Sequence, residues 1–157
     1  MELSKNTGLV IRYFKPRDAR AVQAVVYDAL INTNTQDYPQ RIIDRMLKRF
    51  TADFFIEKAT EDAVFVAEYQ EVIIGTARLD KNLITNMFVA SHAQGQGVGR
   101  ALTQALEEHA QKKGYRFARL YASLSAIGFY ERLGYEQVDV AIHDVFGTNA
   151  VMRKSLA

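Results

Sequence analysis

The sequence contains no cysteine. That removes disulfides, thiolate metal ligands and any covalent intermediate on a thiol. Histidine is scarce: His92, His109 and His143 lie far apart without ligand spacing, so no metal site is expected. No apolar run approaches the roughly 20 residues needed to cross a bilayer, and residues 1–8 lack the apolar core of a signal peptide. A cytoplasmic location is therefore expected. The net charge of +2 is too small to argue for a nucleic-acid or membrane surface, and no basic-aromatic stripe supports nucleic acid binding.

What is present suits one ordinary globular domain. The chain has 157 residues, 48% hydrophobic and 24% charged, enough to bury a core as a single domain spanning residues 1–157. Leu9 to Phe14 reads as a strand ended by Lys15-Pro16. Asp18 then caps a helix with Val22, Val25, Val26, Ala29 and Leu30 on one stripe. Residues 32–38 are polar and unpatterned, a loop. Pro39 opens a second helix with Ile42, Ile43, Met46, Leu47 and Phe50 inward, and residues 51–62 suit a short third.

Two β-branched and aromatic runs, Ala63–Tyr69 and Val72–Leu79, flank Gln70-Glu71 as a hairpin, although the turn lacks the usual Asn-Gly or Asp-Gly. Leu83–Val89 extends the sheet. Alternation of helix and strand follows: an amphipathic helix from Gly97 to Lys113 stopped by Gly114, a strand from Tyr115 to Ala122, and a helix from Ala126 to Leu133 stopped by Gly134. A hairpin through Val138, Val140 and Ile142, turning at Gly147, runs to Leu156. The fold class is a mixed α/β sheet with helices on its faces, mostly antiparallel, with one parallel pair made by a βαβ unit.

The most informative stretch runs from Ser91 to Ala101, where a strand hands over to the long helix. Gly95, Gly97 and Gly99 let the backbone approach a ligand and take angles forbidden to other residues. The free N–H groups of the helix's first turn, with the helix dipole, form a site for an anion such as pyrophosphate, and Arg100 adds a full positive charge. A P-loop needs Gly-Lys-Ser/Thr, which is absent. The dinucleotide fingerprint needs G-x-G-x-x-G and an acid at the end of the next strand. Here the glycines run G-x-G-x-G and that strand reads Ala118-Arg119-Leu120-Tyr121.

The spacing Gln-x-x-Gly-x-Gly, carried by Gln94, Gly97 and Gly99, resembles the pyrophosphate turn of the GNAT superfamily of N-acetyltransferases. A second stretch, Ser123 to Tyr135, resembles that family's Asn-x-x-Ala-x-x-Phe-Tyr-x-x-x-Gly-Phe/Tyr signature. Serine stands at 123 where the family commonly has asparagine, giving a shorter reach and fewer donors. The likeness covers about residues 64–156, and Ile11-Arg12 with Pro16 and Asp18 also fits the family's entry into its first helix.

The resemblance implies a GNAT-like fold with one splayed parallel strand pair, and acetyl-coenzyme A as co-substrate without a metal. Its coenzyme would be held by Phe88, Val89, Gln94, Gly95, Gln96, Gly97, Val98, Gly99, Arg100, Ser123, Ala126 and Phe129, with the backbone at Phe88 and Val89 beside the thioester. Tyr130 aligns with the family's usual general acid. A phenol of pKa near 10 stays protonated at neutral pH and can protonate the leaving thiolate; the alternative is a tyrosine that only packs and meets solvent.

The acceptor, a small-molecule amine or a protein or peptide amine, would attack directly. Its choice is implied to rest with residues 32–38, where Asp37 could attract a cation and Tyr38 could form an apolar wall. Many relatives carry a glutamate on the strand corresponding to Leu83–Val89; this one has Thr85 and Asn86, leaving water, Glu68 or Asp80 as candidate bases. An acyl-coenzyme A sensor without transferase activity, and a transferase using a longer acyl chain, are the alternative readings. Edge pairing of the C-terminal hairpin would allow a homodimer.

Overall fold

The computed structural model describes residues 8–143 and 147–157. The turn expected before Gly147 and the N-terminal residues 1–7 lie outside the described residues. The chain runs β1 (Leu9–Tyr13), α1 (Ala19–Asn32), α2 (Gln40–Arg49), α3 (Ala52–Glu61), β2 (Ala63–Tyr69), β3 (Val72–Asp80), β4 (Leu83–Val89), α4 (Val98–Lys112), β5 (Phe117–Ala122), α5 (Ile127–Arg132), β6 (Glu136–His143) and β7 (Gly147–Ser155). The seven strands form one sheet in the order β1-β2-β3-β4-β5-β7-β6. Neighbours are antiparallel except β4 and β5, the parallel pair joined through α4. No helix among the described residues is long and apolar enough to cross a membrane.

Strand alternation sends neighbouring residues to opposite faces. Val64, Val66 and Phe88 face α1, α2 and α3 through Val22, Val26, Leu30, Ile43 and Phe55. Ala67, Ile74, Leu120 and Met152 face α4 and α5 through Val98, Leu102, Leu106 and Tyr130. Each fully buried large aliphatic or aromatic side chain contributes about 1.5–3 kcal/mol, and these two clusters fix the helices that carry the site. Gly75 brings α4 close: a Cβ there would meet Val98 at 3.0 Å and Leu102 at 3.1 Å.

The β2–β3 hairpin turns on Gln70 and Glu71, both with positive φ (50° and 66°). That is the geometry of a type I′ turn made without glycine, so the strand pattern outweighs local turn preference. The helix expected from Ala126 is shorter than its pattern suggests: Leu124–Ala126 form a 3₁₀ turn and α5 starts at Ile127.

Arg12 grips Asp18 in a two-toothed ion pair (2.8 and 3.0 Å) and also reaches Glu68 at 3.3 Å. The Asp18 carboxylate additionally accepts the Lys15 N–H at 2.7 Å, closing the turn into α1. Arg12 holds the Asp18 carboxyl below its usual range against the opposing effect of burial. A depressed carboxyl stabilises the fold above its unfolded pKa and loses that contribution as pH falls through the folded value. Asp18→Asn should therefore cost about 1–3 kcal/mol at neutral pH. The melting-temperature gap to wild type should close as pH falls below about 4, and a gap constant across pH would count against the ion pair.

One irregularity positions the site. Thr76 pairs with Phe88 and Arg78 with Thr85, so β4 carries one more residue than β3 between these points. The bulge falls at Asn86, which has φ 49°; its side chain accepts from Arg78 Nε at 2.8 Å, and Arg78 is anchored by Asp62. Bulges bend the strand that carries them. Beyond this point β4 leaves β5: their pairing is confined to Leu83–Arg119 and Ile84–Leu120. The two strands therefore part toward Val89 and Ala122.

Candidate active site at the open end of the sheet

The Ala90 N–H donates to Ile74 O at 2.8 Å. By alternation, the N–H and C=O of Val89 face the gap between β4 and β5. The Val89 carbonyl accepts from Gln94 Nε2 at 2.9 Å, so Gln94 ties the turn back to the strand. After a 3₁₀ turn at Ser91–Ala93, Gly95 (φ 72°) and Gly97 (φ 87°) carry the chain into α4. The first bond within the helix runs from Ala101 N–H to Gly97 O at 3.0 Å. That leaves the N–H groups of Val98, Gly99 and Arg100 directed out of the helix end, where an anion is favoured. Gly99 lies under the Phe129 ring, since a Cβ there would sit 3.2 Å from it. The two sequence motifs thus touch each other.

Asp28 on α1 braces the turn from beneath. Its carboxylate accepts the Ser91 N–H at 2.6 Å, the Ser91 hydroxyl at 3.0 Å and Asn32 Nδ2 at 2.9 Å. Burial pushes this carboxyl up, but these bonds, with nearby His92, outweigh it and hold it below its usual range. It stays charged at neutral pH. Asp28→Ala should raise KM for acetyl-coenzyme A roughly tenfold, the loss of one charge-assisted bond of about 1.5 kcal/mol, with kcat little changed. Equal falls in kcat and in thermal stability would instead mark Asp28 as part of the general scaffold.

Across the gap, β5 leads into Ser123, which begins the 3₁₀ turn through an Ala126 N–H to Ser123 O bond of 2.9 Å. Ser123, Ala126 and Phe129 are half-buried. Tyr130 is buried, its ring edge-on to Phe129 (4.9 Å) and Tyr135 (5.7 Å). Burial, with Tyr38 nearby, pushes its phenol well above the usual value. The group is neutral and keeps its proton at physiological pH.

The α1–α2 connector closes over this end. Tyr38 donates to Asn149 Oδ1 on β7 at 3.3 Å, and the Ser125 hydroxyl donates to Asp37 Oδ2 at 2.6 Å. Burial, reinforced by Asp37, raises the Tyr38 phenol too. Of the expected bases, Glu68 is held in the Arg12 ion pair. Asp80 pairs with Leu83 at the closed end, about 20 Å of strand away from Val89. Sequence reasoning missed Asp28 and Asn149: one sits in an ordinary helix and the other in an ordinary strand, and neither position carries a motif. Among the described residues no three His, Asp or Glu side chains converge as metal ligands.

The sequence and the fold have known counterparts. The acetyltransferase (GNAT) domain family matches residues 33–156. An uncharacterized N-acetyltransferase of Methanocaldococcus jannaschii is 33% identical over 100 residues, covering 55% of this chain and 44% of its own length; the chain thus matches less than half of that relative. Among solved structures, a GCN5-related N-acetyltransferase of Rhodopseudomonas palustris superposes with a TM-score of 0.84 at 23% identity, over 99% of both chains. The PaiA N-acetyltransferase of Thermoplasma acidophilum, in complex with coenzyme A, gives 0.82 at 16% identity, over 95% of this chain and 99% of its own. The yncA protein of Salmonella typhimurium, with its cofactor acetyl-CoA, gives 0.70 at 18%, over 96% of this chain and 95% of its own.

Proposed function

The chain belongs to the GNAT acetyltransferase family, and from that premise we propose that it is a single-domain, cytoplasmic enzyme transferring an acetyl group from acetyl-coenzyme A to a primary amine in a ternary complex. The observation that carries this is the gap between β4 and β5, bordered at one side by the glycine turn that opens α4 and at the other by the Ser123 turn that leads into α5, the helix that carries the buried Tyr130. The pyrophosphate would rest on the N–H groups of Gly97, Val98, Gly99 and Arg100, with Gly95 and Gln96 lining the turn. Arg100, exposed at that helix end, adds its charge. The pantetheine arm would lie between the strands, against Phe129, Ala126 and Ser123. There the Val89 N–H would polarise the thioester carbonyl, while the Phe88 backbone, turned the other way by alternation, stays paired with Thr76 on β3.

Held in this way, the thioester is open to direct attack. The amine lone pair adds to the carbonyl carbon, the C–S bond breaks, and the thiolate takes the Tyr130 phenol proton. The nitrogen gives up its remaining extra proton as the amide forms, which restores the phenol. Desolvation that keeps Tyr130 neutral also keeps the donor loaded before each turnover. The exposed Val138, Val140 and Ile142 on the edge strand β6 support pairing with a second copy.

Acetyl-coenzyme A binding by calorimetry, run beside amine-dependent thiol release over mono-, di- and peptidyl amines, tests the reading. Release that depends on amine, with an acetylated product by mass, is the expected outcome. Tight binding with no release from any amine would favour an acyl-coenzyme A sensor, and absence of binding would remove the pyrophosphate assignment. Faster release from propionyl- or succinyl-coenzyme A would assign a longer acyl donor.

A further inference from the structure

An acceptor amine reaches the enzyme mostly as an ammonium ion and cannot attack until it loses a proton. β4 carries no carboxylate, so the proton must go elsewhere. Several acids that pack around the sheet are already occupied. Asp18 and Glu68 share Arg12, Asp28 holds Ser91 and Asn32, and Asp62 holds Arg78. Glu107 is bound by Tyr135 and Lys154 on the outer side of α4.

Asp37 is placed differently. It sits in the connector that overhangs the open end, next to Tyr38, whose hydroxyl reaches Asn149 Oδ1 on β7 at 3.3 Å. Its Oδ2 accepts from Ser125, two residues past Ser123 in the turn that leads to α5. Its Oδ1 is engaged by no other described residue. The Ser125 bond docks the carboxylate at the mouth of the gap and leaves one oxygen to meet a cation.

Resting on the acetyltransferase reading, we propose that Asp37, docked by Ser125, binds the acceptor ammonium and takes its first proton. One N–H proton passes to Oδ1 and leaves the neutral amine. Attack, C–S cleavage and proton donation from Tyr130 then follow as above, and Asp37 returns its proton to solvent after product leaves. The acceptor class this selects is a primary alkylammonium; a carboxylate at the mouth disfavours acceptors with a negative group beside the amine.

Asp37→Asn and Ser125→Ala test this on the whole chain. Asparagine keeps an acceptor oxygen for Ser125, so the connector stays docked while the base is lost. At pH 7, kcat/KM for an alkylamine should fall by roughly 100-fold in Asp37→Asn. The deficit should shrink with rising pH as the free amine, of pKa about 10, becomes plentiful. KM for acetyl-coenzyme A should not change, and Ser125→Ala should show a smaller loss of the same pH-dependent kind. A deficit constant over pH would reduce Asp37 to a docking residue and overturn the proposal, as would wild-type rates in Asp37→Asn; either leaves the transferase reading intact. A wild-type chain that binds acetyl-coenzyme A but acetylates no amine overturns both.

Discussion

Tyr130→Phe should lower kcat by roughly 100- to 10,000-fold while acetyl-coenzyme A still binds with its wild-type affinity. The substitution removes one oxygen and keeps the ring, so the edge-on contacts with Phe129 and Tyr135 survive. The fold should tolerate it, because the hydroxyl makes no hydrogen bond to a described residue that the change would break. What is lost is the proton that neutralises the departing sulfur. A thiol of pKa near 8.5 leaves poorly as a bare thiolate in a site sheltered from water, and a buried neutral phenol supplies the proton at that point. Rates should be read as single-turnover acetyl transfer, which isolates chemistry from product release. Unchanged transfer in the variant would leave Tyr130 as a packing residue and require another proton donor. A parallel loss of cofactor affinity would mean that the ring, not the hydroxyl, had been disturbed.

The order of strands and helices was legible because each element advertises itself locally. The stripe Val22, Val25, Val26, Ala29, Leu30 is the buried face of α1, and Val98, Leu102, Leu106 and Ala110 do the same for α4. The β4–α4–β5 crossover could be read as a parallel pair from its strand–helix–strand order. The two motifs placed the glycine turn and Tyr130 on elements that the fold brings face to face, as the Gly99–Phe129 approach records.

Long-range polar contacts left no such trace. Asp28 looks like any polar residue on the outer side of a helix, and its partner lies 63 residues away in sequence. Asp37 meets Ser125 across 88 residues and Tyr38 meets Asn149 across 111. Periodicity reports which face of an element is buried, but not which distant side chain will meet a given carboxylate. The Asn86 bulge is equally silent, because an isolated asparagine with positive φ has no pattern around it. Yet that bulge bends β4 from β5 and opens the gap. Glu68 shows that residue type alone does not reveal a partner: as a carboxylate it is a candidate base, and in the fold it pairs with Arg12.

Valine at Gly97 or at Gly99 should weaken acetyl-coenzyme A by at least about tenfold, equivalent to losing one or more charge-assisted hydrogen bonds of about 1.5–3 kcal/mol. The two changes act by different routes. Gly97 has φ 87°, where a β-branched residue is strained whatever the space around it; relief of that strain must turn the first N–H groups of α4 away from the anion. At Gly99 the backbone is ordinary, but a Cβ would press on Phe129 at 3.2 Å, and a branched side chain drives α5 away from the turn. Gly114→Val supplies the control. It carries similar strain, φ 92°, at the far end of α4 with open space around it, about 22 Å along the helix from the turn. It should lower the melting temperature yet leave the calorimetric affinity for acetyl-coenzyme A unchanged. If Gly97→Val and Gly99→Val also bound normally, the amides at the start of α4 would not be the pyrophosphate site. If all three variants lost affinity together, the loss would reflect destabilised α4 rather than a disrupted cradle. Loss in the first two with retention in the third locates the coenzyme at the turn, because only there does the backbone itself act as the ligand-binding group.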